Sequence, residues 1–378
     1  MTKHLPTGGS TIDRTIKCPQ WQRLDPKLPR KASSYADNGT LKHNVMEKVY
    51  KDDVDPDTLI GVEKFNDAVL TRDMVVEDII PMRQATDDLL DKYSVTEILC
   101  EPFVELIPDV AGGSIDLLGV SEDGKTAVVI DYKTGFHQVS PVKSPQLLFY
   151  ALCASVDPST ELMLRKAERL VLAIVQPVEG QCTAKVWDTG IDVLDDFEDK
   201  VYAALDATEK DTDPSPGDHC KYCPAAPTCP AKTGEARKAL MLQPTDLTTL
   251  ATALPMVEQL EAWCKQVKTA AHEQLEAGAR IQGYKLVNKR ATRVWNDPDA
   301  AMKKVKWAKN LKLEEACDIK LKSPPQLEKL CKVKGIPFEP YGPLISAMSS
   351  GTTLAKADDK RPEALAIVSL KSMVNAVS

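Results

Sequence analysis

The segment 126–132, Thr-Ala-Val-Val-Ile-Asp-Tyr, limits the fold more than any other stretch, because its apolar centre, Val128-Val129-Ile130, reads as a buried strand delivering Asp131 and Lys133 at its end. Two further β-rich stretches precede it, 94–107 and 113–120, and Ser-Glu-Asp-Gly at 121–124 is a turn sequence, so the three read as a meander. Beyond it, Ser144 supplies an N-cap and Pro145 a first helical position, which makes 146–156 a helix packed on those strands. Strands at 168–178 and 183–189 follow. The expectation is an α/β core with one mixed sheet.

Outside that core, residues 37–52 place Leu41, Val45 and Val49 at helical spacing after an Asn38-Gly39 start, giving a helix that presents His43. Residues 211–218, Asp-Thr-Asp-Pro-Ser-Pro-Gly-Asp, are a linker into a cysteine-rich stretch. After about residue 235 the pattern turns helical, with Val257, Leu260, Cys264, Val267, Ala271 and Leu275 in one stripe. The expected domains are 1–235 and a mostly helical, partly basic 236–378.

A composition of 43% hydrophobic and 27% charged residues is that of an ordinary globular protein rather than a disordered one. No apolar run approaches the roughly 20 residues of a bilayer span, and the first residues show no apolar export signal, so a cytoplasmic protein without membrane attachment is expected. In that compartment the ten cysteines read as metal ligands or packing residues rather than disulfides. The net charge of −7 argues against a nucleic-acid partner, yet its distribution does not. Residues 280–334 hold fifteen Lys and Arg against six Asp and Glu. Such a segment is either a polyanion-binding arm or a solvated helix face.

Chemistry concentrates around the end of the 126–132 strand. Residues two apart in a strand share a face, so Asp131 and Lys133 point the same way, and an adjacent antiparallel strand can bring Asp116 alongside. Two carboxylates suit Mg2+ or Mn2+, and a neighbouring ammonium can orient water or stabilise charge on a phosphate. Alone, Asp-x-Lys is also what a strand-end ion pair looks like. Gln146 and Tyr150, at i and i+4 on the next helix, extend the set.

Gly39 to His43, Gly113-Ser114-Ile115-Asp116, Asp131-Tyr132-Lys133-Thr134-Gly135 and Gln146 to Tyr150 occur in an order and spacing that resembles the PD-(D/E)XK nuclease superfamily, within it the RecB-like and Cas4-like exonuclease branch. The resemblance implies a restriction-endonuclease-like mixed sheet flanked by helices, and a Mg2+- or Mn2+-dependent deoxyribonuclease, by preference an exonuclease. It implies that His43, Asp116, Asp131 and the backbone carbonyl of Tyr132 ligate the metal, that Lys133 serves catalysis with Asp116 and Asp131, and that Gln146 and Tyr150 contact DNA or brace the site. Glu101, on the preceding strand, is implicated more weakly.

Cys220, Cys223 and Cys229 form a C-x2-C-x5-C run among prolines, a loop able to wrap a metal with soft thiolate ligands, as a zinc or an iron–sulfur centre. The Cas4-like resemblance implies a [4Fe-4S] cluster completed by Cys18, against the alternative of structural zinc. The remaining cysteines, Cys100, Cys153, Cys182, Cys264, Cys317 and Cys331, read as small core residues.

In the last third, residues 278–295, 323–329 and 351–362 resemble the tail of a phage and prophage family that carries RecB-like motifs. That implies a DNA recombination or processing role, with DNA and a phage single-strand annealing protein as partners. Tyr284, Trp295 and Trp307 in the basic segment can stack on a strand or belong to a helical core. The rival function is a non-catalytic DNA-binding or scaffold protein that keeps the nuclease fold and a structural Zn or Fe–S site.

Overall fold

In the computed structural model, 126–132 is the central strand of a five-stranded sheet, with every residue from Ala127 to Tyr132 buried. Burial of consecutive residues means that both faces of the strand are covered, which is why its centre is apolar without alternation. The structure describes residues 5–26, 34–135, 137–178, 180–241, 246–287, 324–334 and 336–344.

The chain opens with helices α1 (Gly9–Lys17), α2 (Trp21–Leu24) and α3 (Ser34–Lys51). A two-stranded ribbon, β1 (Lys64–Phe65) and β2 (Ala68–Val69), precedes helices α4 (Arg72–Met74) and α5 (Ile80–Lys92). Strands β3 (Val95–Cys100), β4 (Phe103–Ile107), β5 (Ala111–Ser114), β6 (Leu117–Ser121) and β7 (Thr126–Tyr132) come next. Helices α6 (Pro145–Val156) and α7 (Glu161–Leu164) lead to β8 (Arg169–Val175) and β9 (Lys185–Gly190), and then to helix α8 (Val193–Thr208).

The sheet order is β3-β6-β7-β8-β9. Pairing is antiparallel except between β7 and β8, which run parallel, Thr126 opposite Arg169 through Tyr132 opposite Val175. A parallel pair needs a crossover, and α6 supplies it. Ser144 caps that helix, its hydroxyl accepting from the Leu147 amide, with Pro145 in the first turn.

Alternate strand residues divide the core into two layers. Leu118, Val129 and Leu172 face Ile12 of α1, Phe149 of α6 and Phe197 of α8. Leu117, Val128, Ile130 and Val171 face Leu41 and Val45 of α3 and Met82 and Leu89 of α5. Fully burying each such side chain contributes about 1.5–3 kcal/mol, so the sheet is held from both sides. This is the mixed sheet flanked by helices that the sequence leads one to expect.

Two expectations change in detail. The β-rich stretches 94–107 and 113–120 are each broken, the first at Glu101-Pro102 and the second at Ile115-Asp116, because Pro102 has no amide hydrogen and Glu101 takes a positive φ of 51°. The distal halves, β4 and β5, pair in their own ladder. Helix α3 starts at Ser34 rather than at Asn38-Gly39, so Gly39 lies within it. A Cβ there would come 3.2 Å from the Thr134 hydroxyl, a close approach that glycine avoids.

Two compact units divide the chain, Met1–Val287 and Asn288–Ser378. Residue 235 lies inside helix α9 (Pro230–Met241), and the first unit also contains α10 (Leu247–Glu276). Asp246 caps α10, accepting from the Thr249 amide at 2.8 Å. Its stripe is only partly covered, with Val257 exposed and Leu260, Cys264 and Val267 half-buried. In the second unit, helix α11 (Pro324–Lys334) buries Cys331. Trp295, Trp307, Cys317 and most of the basic segment fall outside the described residues. No described helix is long and apolar enough to cross a membrane.

Candidate active site

The two strand breaks lie side by side and generate the site. The Glu101 amide donates to the Asp116 carbonyl at 3.2 Å, and the Ile115 amide donates to the Pro102 carbonyl at 3.1 Å. Both acids therefore leave the ladder at the same level. Helix α3 crosses there and adds His43, whose Nδ1 lies 3.0 Å from Asp116 Oδ1. The other Asp116 oxygen, Oδ2, accepts from the Tyr132 amide at 2.6 Å. Donor atoms of His43, Glu101 and Asp116 all fall within 4.8 Å of one another.

Asp131 forms a second, adjoining group. Only 4% exposed, it accepts from Gln146 Nε2 at 2.7 Å and from Lys133 Nζ at 3.1 Å, both on Oδ1. Oδ2 shares the Lys133 ion pair at 2.8 Å, yet it is buried and accepts no hydrogen bond. Gln146 also meets the Lys133 ammonium through Oε1 at 3.2 Å and the Tyr150 hydroxyl through Nε2 at 3.4 Å. Sequence reasoning thus named His43, Asp116, Asp131, Lys133, Gln146 and Tyr150, and the fold gathers them in one place. Tyr132 is buried with its amide on Asp116, its ring edge-on to His43.

Crowded negative charge sets the electrostatics. Burial, then the charge of Asp116, pushes Glu101 up to about 8. Burial likewise raises Asp131 to about 6, with Lys133 opposing and Asp116 adding. For His43 burial disfavours the cation, but Asp116 outweighs it and lifts the imidazole to about 9. His43 and the Tyr132 amide hold Asp116 below the usual carboxylate range despite its burial. A divalent cation fits this donor set, two carboxylates and an imidazole beside a buried carboxylate oxygen with no hydrogen bond.

The first helix was not foreseen as part of the site. A Cβ at Gly9, the first residue of α1, would lie 2.4 Å from the Tyr150 ring, and one at Gly113 would lie 3.3 Å from it. A side chain at Gly9 would force the end of the Tyr150 ring to shift. The available signal was Gly8-Gly9-Ser10 ahead of an amphipathic stretch.

The other end of α1 enters the cysteine site, with Cys18 as its C-cap. Cys18, Cys220, Cys223 and Cys229 line one small cavity with Trp21 and His219. Cys220 lies on a 3-10 turn, Asp218–Tyr222, and the Gly217 amide donates to its sulfur at 3.4 Å. Arg14 of α1 donates to the Tyr222 carbonyl at 2.9 Å and stacks over Trp21. Burial pushes the Cys18 and Cys223 thiols up, so without a cation these sulfurs stay protonated. Four thiols thus line one cavity, while among the described residues the set of three or more ligand atoms lying within 4.8 Å of one another is His43, Glu101 and Asp116.

The sequence family described as "Protein of unknown function (DUF2800)" matches residues 4–362. Among solved structures, an alkaline exonuclease (LHK-Exo) from Laribacter hongkongensis aligns at 12% identity, covering 54% of this chain and 89% of its own, with a TM-score of 0.26. SSO0001 aligns at 15% identity, covering 59% of this chain and 95% of its own, also with a TM-score of 0.26.

Proposed function

The chain belongs to the DUF2800 family, and we propose that it is a divalent-metal-dependent deoxyribonuclease of the PD-(D/E)XK type that hydrolyses phosphodiester bonds, acting as an exonuclease. One observation carries the reading: His43, Glu101 and Asp116 converge on one point beside a buried, incompletely bonded Asp131 and its Lys133 partner. His43, Asp116, Asp131 and the Tyr132 carbonyl, with Glu101 added by its position, are the residues that would hold Mg2+ or Mn2+. The chemistry such a cation would supply is charge stabilisation on the scissile phosphate and activation of water.

The remaining residues have roles set by their contacts. Lys133 keeps its ammonium against Asp131 and donates to a phosphate oxygen as negative charge develops there. Gln146 fixes the Asp131 carboxylate and the Lys133 ammonium together. Tyr150, packed on Gly9, fixes Gln146. Cys18, Cys220, Cys223 and Cys229 hold a [4Fe-4S] cluster, with structural zinc as the alternative, tying the first helix to the segment after α8. The partner is DNA in phage recombination or processing in the host cytoplasm, together with a single-strand annealing protein.

Labelled linear DNA incubated with the purified protein and Mg2+ or Mn2+ tests this reading. The expected result is metal-dependent shortening from the ends that Asp131→Asn abolishes. Equal degradation by that variant would remove the catalytic assignment. A brown protein absorbing near about 400 nm would support the cluster, and a colourless one with stoichiometric zinc would replace it.

A further inference from the structure

We infer that Gln176 is a positioning residue for the cleavage reaction, acting through Lys133 and Gln146, a role that rests on the nuclease reading above. Those two residues stand at the two ends of one connection. Lys133 follows the last residue of β7 and Gln146 lies in the first turn of α6. Their side chains meet at 3.2 Å beside the Asp131 carboxylate, to which both donate. Whatever holds the chain between them sets the angle at which both reach Asp131.

The sheet does so only as far as Lys133, whose amide donates to the Val175 carbonyl at 3.0 Å. Past Gln176 the β8 strand cannot continue as a ladder partner, because Pro177 has no amide hydrogen. The Gln176 side chain takes over from the ladder. It belongs to a residue only 5% exposed, and its Nε2 donates to the carbonyls of Gly135 at 2.6 Å and His137 at 2.9 Å. Its Oε1 accepts from the Val139 amide at 3.1 Å.

Both amide hydrogens and the carbonyl oxygen of one buried side chain are thus taken up by main-chain groups of the connection. An apolar residue would fill the same volume and satisfy none of the three. Past these bonds the Val139 carbonyl accepts from Lys185 Nζ at 3.3 Å, and the Val139 side chain packs on the core layer that holds Leu147 and Phe149 of α6. Gln176 therefore links the chain leaving Lys133 to the chain entering α6. Its side-chain hydrogen bonds involve neither the carboxylates nor His43, so removing them leaves the metal-holding groups in place.

The test compares the parent protein with Gln176→Met, which keeps the length of the side chain without a donor, and Gln176→Glu, which keeps an acceptor for Val139 but has no donor for the two carbonyls. On linear DNA with Mn2+, both variants should lower kcat about tenfold with KM changed less than about twofold, and both should bind Mn2+ like the parent. Hydrogen exchange read by mass spectrometry should be faster across residues 133–145 and parent-like in the strands 126–132 and 169–175. In a Gln146→Ala background the loss caused by Gln176→Met should shrink to about twofold or less, a non-additivity that general destabilisation does not produce. Parent-like kcat in both variants, or the full loss persisting beside Gln146→Ala, would overturn the inference. So would faster exchange across both strands, which would make Gln176 a structural residue. If the parent protein leaves DNA uncut with Mg2+ and with Mn2+, the nuclease reading fails and this one with it, whereas a cleaving parent with parent-like variants removes this one alone.

Discussion

The carboxylate site and the cysteine site are joined by the same helix but are held in different ways. The first stands on the sheet: Asp131 ends a strand buried on both faces, Asp116 and Glu101 occupy matched strand breaks, and His43 comes from a helix whose Leu41 and Val45 are fully buried. Its geometry is set by the core, so its like charges stay close together with or without a cation. The second stands on turns, a 3-10 segment and one helix C-cap, packed round Trp21, Ala225 and Ala226 rather than on the sheet. On the proposal that the thiols bind a metal or cluster, that binding would contribute folding energy there, whereas the carboxylate site is arranged by the core alone.

That contrast can be broken by changes whose expected effects differ in kind. The largest of these belongs to Glu101→Gln, short of the loss expected for Asp131 or Lys133 themselves. It should reduce DNA cleavage on the order of 100-fold while leaving the melting temperature unchanged, because the loss is at the reacting centre. Rates with Mn2+ and a thermal melt decide it, and a fall in melting temperature that accounts for the activity loss would mean Glu101 is structural.

Cys220→Ser should act the opposite way. Loss of a thiolate ligand should lower the melting temperature by about 10 °C, since losing bound metal at a turn-built site is worth several kcal/mol. Metal content and calorimetry check this together. An unchanged melt in a protein emptied at the cysteines would place the site outside the folding unit.

Gly9→Ala probes the helix between the two sites. The new methyl, 2.4 Å from the Tyr150 ring, should displace Tyr150 and Gln146 and lower cleavage about tenfold, with metal retained at the cysteines. Steady-state rates and metal analysis separate it from the cysteine variants. The smallest effect sits at the end of α6, against the β4–β5 ladder. Asp157 accepts from the Ser159 hydroxyl, from the Glu105 amide at 2.7 Å and from the Ser159 amide at 2.8 Å, and these bonds hold its carboxyl low despite burial. With its folded pKa depressed, its stabilisation is present above the unfolded value of about 3.9 and is lost as pH falls through the folded value. Asp157→Asn should therefore cost about 1–2 kcal/mol near neutral pH and less in acid, read by denaturant titration at two pH values.

Much of this was legible in the sequence because it depends on local pattern. The apolar run before Asp131, the Ser144-Pro145 cap and the spacing from Gln146 to Tyr150 report strand, helix start and helix face directly. The position of Glu101 was harder. A stretch rich in β-formers reads as one strand, and its division depends on pairing: β3 goes to the main sheet and β4 to β5. Pro102 marked the break, but nothing local said that it would lie beside Asp116. Gly9 was hidden for a related reason, since its partner Tyr150 is distant in the chain and only packing shows that a side chain there would collide. The stripe on α10 shows the reverse case, a periodicity plain in sequence whose face the fold leaves partly open.

The central claim is that the carboxylate site is a metal site in which binding and catalysis belong to different residues. Mn2+ titration followed by electron paramagnetic resonance, run beside cleavage of linear DNA, tests it on the parent protein, Asp116→Ala and Lys133→Ala. Asp116→Ala should lose both Mn2+ binding and cleavage, whereas Lys133→Ala should bind Mn2+ like the parent and cleave on the order of 1000-fold more slowly. Parent-like Mn2+ binding by Asp116→Ala, or parent-like cleavage by Lys133→Ala, would contradict it.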